Sequence, residues 1–97
     1  MYAKNGYILN KGEITLNGNK STAIYGMDNT LISNINTSKI KLNGDDSIGI
    51  FYDNTDISSI GENIENYGEL ELNGSKDIGI AYNSKSISLL TPTLVSN

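Results

Sequence analysis

The sequence contains no cysteine, no histidine, no arginine and no tryptophan, and only one proline (Pro92) and one phenylalanine (Phe51) in 97 residues. Without cysteine there is no disulfide framework, no thiolate zinc site and no thiol nucleophile. Without histidine there is no imidazole ligand or acid–base group. The missing cysteine does not fix a compartment, but it permits export, because no disulfide has to be formed or avoided. Basic charge is also scarce. Seven lysines stand against eleven acids, for a net charge of −4, and they form no cluster, so the electrostatic footprint of a nucleic-acid binder is missing. No apolar run reaches the length of a membrane span, and the opening "MYAKNGYILN" has no apolar h-region, so no signal peptide is expected there. The length has room for one domain, spanning 1–97, and the apolar share of 37% is low for a soluble globule.

What is abundant is asparagine and isoleucine, 14 of each. Strand formers and turn formers share the chain, and they recur in order. "NKGEITLNGNKSTAIY" (10–25), "NTSKIKLNGDDSIGIFY" (36–52) and "NYGELELNGSKDIGIAY" (66–82) are three copies of one pattern. Their Asn-Gly pairs, Asn17-Gly18, Asn43-Gly44 and Asn73-Gly74, are spaced by 26 and 30 residues. Before each pair runs a period-two alternation that points Ile14/Leu16, Ile40/Leu42 and Leu70/Leu72 one way and Glu13, Lys39 and Glu69 the other. This is the mark of a strand with one buried face. A polar stretch follows, then a second apolar segment (Ala23–Tyr25, Ile48–Tyr52, Ile78–Tyr82) and a looser third.

Two folds use such material. In a β-meander each Asn-Gly makes a tight hairpin, but three or four polar residues separate the glycine from the next apolar one. In a parallel β-helix each period is one coil and like segments stack. The period suits three strands and three turns per coil, with the right hand favoured for parallel crossovers. The expected architecture is an all-β, right-handed parallel β-helix of about three coils, 10–35, 36–65 and 66–96, with residues 1–9 ending a preceding coil. The uncapped ends are expected to make it a slice of a longer array. Stacking puts Glu13, Lys39 and Glu69 in one outward column and Thr15, Lys41 and Glu71 in the next, with favourable pairing of opposite charges. Asn17, Asn43 and Asn73 form one side-chain amide ladder, and Asn10, Asn36 and Asn66 a second. The glycine after each first-ladder asparagine takes φ > 0 to turn the chain. The longer second spacing places extra residues in "DNTDISSIGEN", 53–63, as a projecting turn and the favoured contact surface.

The pattern "NxGxIxLNGxxSxGIxY", carried by the three copies quoted above, resembles the passenger repeats of type V secreted autotransporters of Gram-negative bacteria, especially the fusobacterial-type adhesins. The resemblance runs from about residue 8 to 82; Ala23 departs from the glycine of the other copies. It implies a secreted β-helical stalk displayed at the outer-membrane surface, structural and adhesive, not an enzyme. Its partners would be a host-cell surface protein or glycan and the remainder of its own longer chain, without nucleic acid or direct membrane insertion. It supplies no ligand-binding, cofactor or metal residue.

Several residues admit a sharper reading. Asp45-Asp46 and Asp53-Asn54-Thr55-Asp56 are oxygen donors of the kind calcium uses, yet the glycine–aspartate nonapeptide of calcium β-rolls is absent, and solvated turn acids are the simpler reading. The same carboxylates suggest an alternative, a carbohydrate-active β-helix that binds or cleaves polysaccharide, which rests on analogy of fold. Tyr25, Tyr52 and Tyr82 form either a sugar-stacking strip or an ordinary aromatic column. Asn19, Asn36 and Asn73 match the N-x-Ser/Thr acceptor pattern, as chance predicts in a chain this rich in both residue types. Gly12 and Gly68 precede their strands, but Ser38 interrupts them, so they make no phosphate loop.

Overall fold

The computed structural model describes residues 1–54, 64–83, 89–90 and 95–96. In chain order the strands are β1 (Tyr2–Lys4), β2 (Tyr7–Asn10), β3 (Glu13–Leu16), β4 (Thr22–Met27), β5 (Leu31–Asn34), β6 (Lys39–Leu42), β7 (Ile48–Asp53), β8 (Ile64–Asn66), β9 (Glu69–Leu72), β10 (Ile78–Asn83), β11 (Leu89–Leu90) and β12 (Val95–Ser96), with no helix among the described residues. They form three four-stranded sheets, ordered β1-β4-β7-β10, β2-β5-β8-β11 and β3-β6-β9-β12. Every pairing is parallel. Each inner strand thus lies between the strands three before and three after it, as a three-strand repeat requires.

Register follows the period-two alternation. Ile14, Ile40 and Leu70 share one column of the third sheet, and Leu16, Leu42 and Leu72 another. Ile40, Leu42 and Leu70 are fully buried. Ile14 and Leu16 are half-buried; among the described residues β3 pairs with β6 alone. The core also takes Ile8, Ile24, Ile32, Ile50, Tyr52 and Ile64 from the other sheets. The outward columns fall as expected, Glu13 beside Lys39 beside Glu69, and Thr15 beside Lys41 beside Glu71. Lys39 and Glu69 are half-buried rather than exposed, their stems covered by neighbours within the sheet.

The connections show where the repeats differ. The corner after the third-sheet strand is constant at five residues: 17–21, 43–47 and 73–77. The corner before it has two residues after β2 and β8 but four, 35–38, after β5. Those two additional residues correct the second ladder: the register puts Asn34, not Asn36, between Asn10 and Asn66, and Asn36 is exposed in the enlarged corner. The remaining connection has two residues after β1, three after β4 and ten, 54–63, after β7. The extra length thus falls in the interval expected from the spacing, although residues 55–63 lie outside the described residues.

A second correction concerns the glycines. None of Gly18, Gly44 and Gly74 has a left-handed φ. The left-handed position is two residues later, at Lys20 (φ 54°), Asp46 (56°) and Lys76 (59°). Glycine is required for closeness instead: a Cβ on Gly44 would overlap the Gly18 carbonyl, and one on Gly74 the Gly44 carbonyl.

Candidate functional site

Three side-chain arrays decorate this frame. The first is the pair of asparagine ladders. On the inside, Asn10 Nδ2 donates to Asn34 Oδ1 (2.8 Å) and Asn34 Nδ2 to Asn66 Oδ1 (2.7 Å), all three residues buried. Asn34 Oδ1 also accepts from Ser38 Oγ (2.6 Å). Ser38 stands where the other copies have Gly12 and Gly68, and a Cβ on Gly68 would crowd the Asn34 amide at 2.7 Å, so the position is a packing site. The exposed ladder runs the other way: Asn43 Nδ2 donates to Asn17 Oδ1 and Asn73 Nδ2 to Asn43 Oδ1, each at 2.8 Å.

The polar words after Asn-Gly brace neighbouring turns. Asn19 Oδ1 accepts from Asp45 N (2.8 Å), and Asp45 Oδ1 from Ser75 N (2.9 Å). Asp77 accepts from Ser47 N (3.0 Å) and from Gly74 N (2.8 Å). Asp45 and Asp77 thus satisfy backbone amides that a turn would otherwise leave unpaired. Among the described residues no group of three or more His, Cys, Asp and Glu is placed to hold a metal ion. Thr55 and Asp56 lie outside the described residues.

The second array is charged and covers the third sheet. Lys39 Nζ approaches Glu71 Oε1 at 3.0 Å and Lys41 Nζ approaches Glu71 Oε2 at 3.8 Å. The pairing is therefore partly diagonal rather than straight across the column. The Asn73 amide donates to Glu71 (2.7 Å). That bond, with the Lys39 bond next, lowers the Glu71 pKa, and the Glu71 bond raises that of Lys39.

The third array is aromatic. The strip expected from Tyr25, Tyr52 and Tyr82 is not formed. Tyr25 pairs with Phe51, and Tyr52 with Gly26 and Tyr82. Tyr52 is fully buried, its hydroxyl donating to the Asp28 carbonyl. The outer column is instead Tyr2, Tyr25 and Phe51, with ring centroids 5.4 and 5.2 Å apart, followed by Ala81. Counting eight residues from each ladder asparagine gives Tyr25, Phe51 and Ala81; matching the tyrosines by word gives the wrong set. Tyr25 donates its hydroxyl to Asp53 Oδ2 (3.2 Å), and partial burial, then that carboxylate, raise its pKa. Tyr2 is 64% exposed. The carboxylate against this column is that of Asp53, and tilted rings beside it offer a surface for apolar and hydroxyl-bearing ligands. Lys4 Nζ lies 4.0 Å from Asp28.

Comparison with protein-family models, curated proteins and solved structures found no match to this chain.

Proposed function

We propose that this chain is a segment of a right-handed parallel β-helix serving as a non-catalytic stalk, structural and adhesive, on a bacterial cell surface in the manner of an autotransporter passenger. The observation that carries the reading is the pairing of strands three apart, parallel and in register, throughout three sheets. A chain built this way lengthens by repetition, each turn covering the open face of the last. The right hand follows from the preference of parallel crossovers. Asp45 and Asp77 hold turn amides, and Glu71 is held by Lys39 and Asn73, which are structural roles for these carboxylates. The low lysine content and the acidic balance support surface partners other than nucleic acid.

An antibody against the chain is expected to label intact cells of the source bacterium and to lose that label on external protease treatment. Labelling only after permeabilisation would contradict a surface stalk. A second reading, glycan contact, is favoured by the Tyr2–Tyr25–Phe51 column. Affinity electrophoresis against a polysaccharide panel tests it, with Tyr2→Ala expected to abolish any retardation. Release of reducing ends by the purified chain would instead support a carbohydrate-active enzyme.

A further inference from the structure

The pattern Asn-x-Ser/Thr, an acceptor for sugar on the asparagine amide, occurs at Asn19, Asn36 and Asn73. It is common in a chain of this composition, but the fold gives its three copies different settings. Asn73 donates its amide to both Asn43 and Glu71, and the Gly74 that follows has no room for a Cβ against the Gly44 carbonyl. Asn19 is pinned on the neighbouring turn, its Oδ1 accepting from Asp45 N.

Asn36 stands apart. It lies in the corner 35–38, two residues longer than the corners 11–12 and 67–68 of the coils on either side. Both ends of that corner are fastened to those coils. Ile35 N donates to Asn10 O (3.2 Å), Lys39 N donates to Gly12 O (3.1 Å), and Ser38 O accepts from Glu69 N (3.1 Å). Within the corner, Ser38 N donates to Ile35 O (2.9 Å), which closes a β-turn with Asn36 and Thr37 at its tip. Both tip residues are exposed with a coil stacked on each side, and Asn36 belongs to neither asparagine ladder.

We propose that Asn36 is a site of N-linked glycosylation. The donor is a sugar held through its anomeric carbon by a nucleoside or lipid diphosphate, and a transferase brings donor and chain together. Nδ2 attacks that carbon. The Nδ2–C1 bond forms, the C1–O bond to phosphate breaks, the diphosphate leaves with the electron pair, and one Nδ2 proton passes to a base of the transferase. The product at Asn36 costs the ladders no hydrogen bond, whereas the same product at Asn73 removes one of the two protons it donates. Ser38 supplies the hydroxyl that the pattern requires, and in the folded chain it is buried on Asn34 Oδ1. Transfer therefore precedes closure of this corner, and the sugar stays outside once it closes.

The test is peptide mapping by mass spectrometry of the chain isolated from its own cells. Cleavage after lysine separates the three patterns, leaving Asn19 in 12–20, Asn36 in 21–39 and Asn73 in 42–76. The 21–39 peptide is expected to be shifted by the mass of one or more sugars, and the other two to be unshifted. Asn36→Gln, a change at an exposed tip, should lose the shift. Ser38→Gly, which matches the glycine of the other two copies, should lose it as well although Asn36 is untouched. An unshifted 21–39 peptide, sugar on 12–20 or 42–76, or a shift that survives either substitution would each overturn the proposal.

Discussion

Asn34 accepts from Asn10 and Ser38 and donates to Asn66, all inside the protein. Asn34→Ala leaves the Asn10 donor and the Asn66 acceptor unpaired in a dry site, and should cost about 1 to 3 kcal/mol in chemical denaturation. Leu42 is fully buried between Leu16 and Leu72, and Leu42→Ala should cost about 2 to 5 kcal/mol by the same measurement, as core leucines do. The exposed ladder is worth less per rung, but its direction makes a sharp comparison. Asn17→Asp keeps the oxygen that accepts from the Asn43 amide and should be close to neutral. Asn43→Asp cannot donate to Asn17 and should lose about 0.5 to 1.5 kcal/mol. A hairpin at each Asn-Gly predicts that both are neutral, since Asp-Gly turns as well as Asn-Gly, so thermal melts of the pair separate the two folds.

At the scale of elements, β6 and β9 are tied by Glu71 to Lys39 and Lys41. The Glu71 pKa lies below the ordinary glutamate value of about 4.3. Its contribution to stability is therefore complete above that value and is lost as pH falls through the lower folded-state one. Melts of the parent chain and Glu71→Gln should differ slightly at neutral pH, converge on acidification, and converge also in molar salt. The strand register and the charged columns were legible in the sequence because a two-residue period leaves one way to bury Ile14, Ile40 and Leu70 together. The buried ladder is not legible in the sequence, because the corner at 35–38 is two residues longer and Asn34 and Asn36 look alike. The aromatic column is not legible either, because Phe51 and Tyr52 are adjacent and only register says which faces in. The need for Gly44 is visible in the sequence but its reason is not, since the obstacle is the Gly18 carbonyl, 26 residues earlier in the chain.

On the scale of the whole molecule, the chain holds together by stacking, with no cysteine available for a disulfide staple, and each turn depends on the one beside it. Gly44→Ala pushes one turn off its neighbour, so it should lower the melting temperature of the entire transition rather than loosen one corner. The central claim is that the three copies lie one above another in parallel. Asn43 N donates to Leu16 O and Asn73 N to Leu42 O, both at 2.8 Å. Nuclear magnetic resonance couplings across hydrogen bonds can be read residue by residue. Stacking predicts couplings linking Leu16 to Asn43 and Leu42 to Asn73. A coupling from the Leu16 carbonyl to an amide in the segment just after Gly18, as an antiparallel hairpin makes, would contradict it.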